Sequence, residues 1–91
     1  MFELKDWYLV DMGAFVEAQG YVYNHEYFGD GDFISTADIK SIKVNENNRS
    51  IQLSTSCGTE YILQYVEMNE QKSLLTNQII QSFLSNEILL C

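Results

Sequence analysis

Hydrophobic and polar residues alternate along the first two thirds of the chain and then give way to a three-to-four-residue repeat, a pattern that predicts strands followed by one helix. Phe2 to Val10, with Trp7, Tyr8, Leu9 and Val10 at its end, reads as a strand stopped by a turn at Asp11-Met12-Gly13. In the next strand, Ala14 to Tyr23, the residues Ala14, Val16, Ala18, Gly20 and Val22 share one face, and Phe15, Glu17, Gln19, Tyr21 and Tyr23 share the other. Gly20 breaks this strand and marks a bulge or a close backbone approach. Asn24 to Asp32 is a loop built on a Gly29-Asp30-Gly31-Asp32 turn, after which Phe33-Ile34 re-enters the sheet. Ser35 to Asp38 suits a turn capped by side chains. Ile39 to Val44 and Ser50 to Thr55 form a hairpin around Asn45 to Arg49, Cys57-Gly58 turns the chain again, and Thr59 to Val66 is the last strand. The expected fold class is α+β: a five-stranded antiparallel sheet or small open barrel over residues 2–66, followed by one C-terminal helix.

That helix is expected from about Asn69, a suitable N-cap, to Leu89, the whole chain 1–91 forming a single domain. Leu75, Ile79 and Phe83 fall on one line of it, and Leu74, Ile80, Leu84 and Ile88 on a second. The opposite strip, Gln71, Gln78, Gln81, Ser82 and Ser85, is polar, and no residue from Ser73 to Asn86 is charged. An exposed helix face normally carries Lys and Glu. Two readings follow: the helix packs across the sheet with a neutral outer strip, or Leu75, Gln78, Ile79, Ser82 and Phe83 form a self-association surface and the chain is a homo-oligomer.

Composition adds constraints on the interior and on partners. A 91-residue chain that is 46% hydrophobic and 13% aromatic can fill one modest core without a metal or a disulfide. Cys57 in a turn and Cys91 at the last position both read as free thiols. The N-terminal run lacks the basic start of a signal peptide, and no apolar run reaches the ~20 residues of a membrane span, so a cytoplasmic location is expected. Thirteen acids against five bases give a net charge of −8. Residues 1–38 hold eight of those acids and a single base, Lys5, whereas residues 39–91 are nearly balanced. Direct contact with nucleic acid phosphates requires clustered Lys and Arg, which are missing here.

Candidate chemistry concentrates between Gly20 and Thr36, where Tyr21, Tyr23, Tyr27, Phe28 and Phe33 surround the only histidine, His25. His25, Glu26, Asp30 and Asp32 lack both a second histidine and the position pattern of a calcium loop, so no metal is expected. His25 and Cys57 could pair as base and nucleophile, but no third group to orient the histidine can be identified from spacing. The Gly29 to Asp32 repeat is a turn rather than a phosphate cradle, because its carboxylates would repel phosphate. No catalytic site and no cofactor are expected. Aromatics ringed by acids suit a protein-binding hot spot, here Tyr23, His25, Glu26, Tyr27, Phe28, Asp30 and Asp32 with the adjoining Asp38.

The string Gly20-x-Val22-Tyr23-x-His25-x-x-Phe28-x-Asp30-Gly31-x-x-Ile34-x-Thr36-x-x-Ile39, followed by Thr55-x-x-Gly58-x-x-Tyr61-x-Leu63, resembles a pattern in small proteins of phages, prophages and bacterial genomes. Ala37 stands where that pattern has a serine. The resemblance implies a compact β-domain from a mobile element, and in size and acidity the chain is similar to anti-CRISPR and other counter-defence proteins. The function expected on this footing is inhibition of a bacterial host defence protein, the acidic aromatic loop blocking a basic nucleic-acid-binding surface such as that of a CRISPR effector. The alternatives are an oligomer that sequesters a signalling nucleotide by stacking its base on Tyr23 or Tyr27, and a structural or accessory phage protein.

Overall fold

The computed structural model describes residues 2–90, side chains included as far as Ser85, so the side-chain expectation for Ile88 and the one for Cys91 fall outside what is described. Six strands, β1 (Phe2–Asp11), β2 (Val16–Tyr23), β3 (Phe33–Ser35), β4 (Ile39–Asn45), β5 (Ser50–Thr55) and β6 (Glu60–Gln64), precede one helix, α1 (Ser73–Leu90). They form a single sheet in the order β3-β2-β1-β6-β5-β4. The expectation of five antiparallel strands is corrected on two counts. Phe33 to Ser35 is a strand in its own right, paired with β2, and β1 runs parallel to β6 through Phe2 and Glu3. A parallel neighbour 59 residues away leaves no local turn signal, so alternation alone does not reveal it. The last strand also stops at Gln64, because Tyr65 to Glu67 winds into a 3-10 turn.

The phase of β1 is set by one extra residue. An unbroken alternation from Leu4 would turn Asp6, Tyr8 and Val10 inward, yet the buried residues are Leu4, Trp7 and Leu9. Pairing with β2 slips from Lys5↔Tyr21 to Tyr8↔Gln19, and Asp6 takes a left-handed φ of 52° within the slip. Gly20 lies opposite this bulge. A Cβ at Gly20 would come within 3.0 Å of the Lys5 carbonyl oxygen and 3.1 Å of Trp7 Cα and Cβ. The glycine therefore marks a close approach, as its position suggested, but β2 continues unbroken through it and the bulge belongs to β1.

Trp7 is fully buried and donates its indole N–H to the Gln64 carbonyl at 2.8 Å. Beyond Glu3 the strand β6 diverges from β1, and other groups cover the vacated edge. Asn69 N–H donates to the Trp7 carbonyl at 2.8 Å, and the Asn69 amide donates to the Asp6 carboxylate at 3.0 Å. Asn69 also accepts from Lys72 N–H, capping the turn Glu70–Lys72 that leads into α1. Farther along, Leu9 N–H donates to Thr76 Oγ1 at 3.1 Å, and both groups are buried. Thr76 and Ile80 are the buried pair among the helix side chains described, flanked by partly buried Ile79, Phe83 and Leu84. Leu74 and Leu75, expected on the apolar face, are instead 72% and 63% exposed. The helix had to turn Thr76 inward because β1 presents an N–H there that only an oxygen can satisfy.

The two edge strands, β3 and β4, are joined by residues 36–38 alone. Those residues span at most about 14 Å, whereas opposite edges of a flat six-stranded sheet lie roughly 24 Å apart. The sheet is therefore strongly curled, with its edges unpaired but brought near each other and its apolar face inside. Thr36 ties the link to β2, its N–H donating to the Ala18 carbonyl at 2.9 Å and its hydroxyl accepting from Ala18 N–H at 3.0 Å. Asp38 ties it to the far side, where its carbonyl accepts from Ser56 N–H at 2.9 Å. Helix α1 packs on β1 and β4. Among the described residues no helix is long and apolar enough to cross a membrane.

Two substitutions test this architecture by urea denaturation. Gly20→Ala forces backbone atoms apart at the bulge and is expected to destabilise by about 1–3 kcal/mol. Thr76→Val keeps the side-chain shape but strands the buried Leu9 N–H, with an expected loss of about 1–3 kcal/mol. Wild-type stability in either variant would mean that the bulge or the helix seat is misassigned.

Candidate functional site

The loop between β2 and β3 is held by its own carboxylates. Asn24, at a left-handed φ of 63°, donates its N–H to Asp30 Oδ1 at 3.0 Å, and Gly29 N–H donates to Asp32 Oδ2 at 3.0 Å. Gly31, at φ 88°, sends its N–H back to the Val22 carbonyl at 2.9 Å. Short acidic side chains that bond their neighbours' N–H groups are the ordinary chemistry of such turns. Here they also fix where the negative charges stand. Both carboxylates are exposed, as is Glu26.

The loop's aromatic residues divide into two groups. His25 stacks on Phe2 with ring centroids 4.1 Å apart, meets the edge of Phe28 at 4.9 Å, and lies 5.8 Å from Tyr27 and 6.3 Å from Tyr61. His25 Nδ1 accepts from Tyr27 N–H at 3.1 Å. Phe2, His25, Glu26 and Tyr27 line an open cleft of about 430 Å³ whose other wall is Gly58 to Glu60. The second group is the cross-strand pair Tyr21 and Phe33, packed edge to face at 5.2 Å and exposed on the outer surface of β2 and β3. Tyr27 is the most exposed of all at 83%. Tyr23 is half-buried, and its ring is covered by Lys5 Nζ at 4.9 Å, so that face is already occupied by a cation.

The sequence-predicted residues Tyr23, His25, Glu26, Tyr27, Phe28, Asp30 and Asp32 are thus gathered on one loop and the strand end that feeds it. Asp38 has its partners elsewhere. Its carboxylate accepts from the Ser56 hydroxyl and pairs with Lys40 at 3.2 Å, and these two groups, Ser56 first, hold its carboxyl below the usual value. That is the only carboxylate–base pair among the described residues. Residues 6–39 contain no Lys or Arg, so Glu17, Glu26, Asp30 and Asp32 stand in a local excess of negative charge. No hydrogen bond joins His25 and Cys57 among the described residues: His25 Nδ1 accepts from Tyr27 N–H, and the Cys57 sulfur contacts Thr55 Oγ1 at 3.3 Å and Thr59 Oγ1 at 3.5 Å.

Sequence reasoning missed Phe2 and Tyr61 as neighbours of His25, since only the parallel β1–β6 pairing brings them there. On the helix, Leu75, Gln78, Ile79 and Ser82 line a groove of about 480 Å³ against Tyr8 to Asp11. Ile79, Ser82 and Phe83 border a second, of about 360 Å³, against the β1–β2 turn and the start of β4. No family model, curated protein or solved structure matches this chain.

Cys57 offers a spectroscopically simple check on the turn beside the cleft. Hydrogen bonds from Thr55, then Thr59, stabilise its thiolate and bring the thiol to about 7 from an ordinary 9.0. In a Cys91→Ser background, iodoacetamide alkylation should reach half its maximal rate near pH 7, and Thr55→Val should move that midpoint upward. A midpoint above pH 8.5 would contradict the turn geometry.

Proposed function

We propose that this chain is a non-enzymatic binding protein whose loop 24–32 docks on a basic protein surface. On the footing of the resemblance noted above, we further propose that the target is the nucleic-acid channel of a bacterial defence protein of the CRISPR-effector kind. One observation carries this reading. Tyr27, almost fully exposed, stands on a loop whose Glu26, Asp30 and Asp32 carboxylates have no basic partner, within a stretch of 34 residues free of Lys and Arg. A large aromatic left in water beside fixed negative charges suits an anchor and steering arrangement: the ring supplies contact area and the carboxylates attract cations. Carboxylates replacing phosphates would explain how so acidic a chain competes with nucleic acid. The nucleotide-sponge alternative is weakened by Lys5 lying over the Tyr23 ring and by the absence of Arg near the loop.

Surface plasmon resonance against a panel of guide-loaded CRISPR effectors, with target DNA as competitor, tests the proposal. Asp30→Asn with Asp32→Asn keeps the turn acceptors and removes two charges, so association should slow, and should slow less at higher salt as the Debye length shrinks from about 10 Å at 0.1 M to 3 Å at 1 M. Tyr27→Ala should instead speed dissociation, by roughly 30-fold if the ring contributes about 2 kcal/mol. Unchanged binding in both variants would show that the loop is scaffold.

Self-association through α1 is favoured by a separate observation: exposed Leu74 and Leu75 lie on a strip where no residue from Ser73 to Ser85 is charged, part of the longest uncharged run on a chain of net −8. Two copies can meet there without like-charge repulsion. Because Leu75 is exposed, Leu75→Lys probes the surface without opening the core. Sedimentation at high micromolar concentration should find the parent dimeric or larger and the variant monomeric; a monomeric parent would end this reading.

A further inference from the structure

We propose that the free edge of β3 receives an extended, lysine- or arginine-bearing segment of the partner as an added strand. This rests on the binding function proposed above and specifies its geometry. In the β2–β3 ladder, Val22 N–H donates to the Asp32 carbonyl and Thr36 N–H to the Ala18 carbonyl, with Gly20 opposite Ile34 between them. By alternation, the Asp32 carbonyl, both backbone groups of Ile34 and the Thr36 N–H turn toward β2, and Phe33 and Ser35 turn theirs away. No strand pairs with that side of β3, and Phe33 and Ser35 are exposed. Four backbone groups, two donors and two acceptors, are therefore presented at the edge without a partner among the described residues.

The opposite edge of the same sheet carries charge and bulge guards, whereas this one is limited only by its shortness. On β4 the exposed Lys40 and Lys43 and the register shift between Ile39 and Ser41 are the usual devices that keep a foreign strand away. On β3 there is neither a lysine nor a bulge. What stands beside it is the exposed Tyr21–Phe33 pair, on the sheet face where alternate side chains of an added strand would form the next column. A cationic side chain opposite Phe33 would lie over these rings, a favourable placement for Lys or Arg. Asp30 and Asp32, held by their bonds to Asn24 and Gly29, supply the charge complement.

Charge also decides the occupant. A second copy adding its own β3 would bring two Asp32-bearing edges together with no intervening base, so the segment that fits is a basic one from another protein. With three residues the strand is short, so side chains must supply most of the affinity and backbone pairing the register.

The test uses a capped seven-residue peptide of alternating lysine and threonine, the same peptide N-methylated at alternate residues, and amide hydrogen exchange on the full chain. The unmodified peptide is expected to bind at low salt and to slow exchange at Phe33 and Ser35. N-methylation, which removes backbone donors and leaves charge intact, should weaken binding by tenfold or more, about 1.4 kcal/mol. Ser35→Pro, which removes only an outward N–H, should do the same with its circular dichroism unchanged. Equal binding of both peptides to the wild-type chain overturns strand addition while leaving the acidic aromatic face as the binding surface. Failure of any lysine peptide to bind at millimolar concentration overturns both. Dimerisation abolished by Ser35→Pro would show that the edge pairs with its own copy, which also overturns the proposal.

Discussion

The contact between Gly20 and the backbone around Trp7 is the constraint on which most of the structure depends. Only a residue without a side chain lets β2 lie this close to the β1 bulge, and only the bulge turns Trp7 rather than Asp6 into the core. Everything packed around the indole inherits that choice. The Gln64 carbonyl that receives its N–H ends β6, and the Trp7 carbonyl and the Asp6 carboxylate together seat Asn69, where the helical segment begins. Truncating a buried aromatic of this size typically costs about 3–5 kcal/mol, a large share of the roughly 5–15 kcal/mol that holds a small domain together. The helix register then follows, since Leu9 N–H lies two residues beyond the indole and requires Thr76.

The curl imposed by the three-residue link between β3 and β4 explains why chemistry gathers where it does. Closing the apolar face inward turns the other face of β2 and β3 outward, and that face carries the exposed Tyr21 and Phe33, with the loop at its end. Asp38 belongs to the closure rather than to the loop. Its bonds to Ser56 hold the link against the β5–β6 turn, and Lys40 neutralises it. Asp30 and Asp32 in the loop have backbone partners but no cation, and this difference separates a structural acid from one available to a ligand.

Much of the fold was legible in the sequence, and the failures share a cause. Alternation located the strands, Gly13, Gly31 and Gly58 marked turns at positive φ, and Asn69 announced the helical segment. What alternation cannot carry is any contact between distant strands. The parallel pairing of β1 with β6 was invisible for that reason, and with it the placement of Phe2 and Tyr61 around His25. The bulge at Asp6 was hidden because its left-handed residue is an aspartate rather than a glycine. On the helix, counting apolar residues favoured Leu74 and Leu75 for burial, whereas the need to satisfy one backbone N–H selected Thr76. The loop itself was recognised from composition, but its division into a histidine-centred cluster and a cross-strand pair was not.

The placement of β1 also has a consequence for how the protein comes to be folded at all. Among the six strands β1 comes first in the sequence yet lies in the middle of the sheet, and its second neighbour and its covering helix follow β5. On the ribosome, the hairpin of β1 and β2 must wait with one flank of Trp7 bare until residues 60–80 have been synthesised. The nascent chain therefore cannot secure its core piece by piece. Completion waits for β6 and α1, and this long-range pairing makes the search slow and leaves the half-formed sheet open to wrong neighbours.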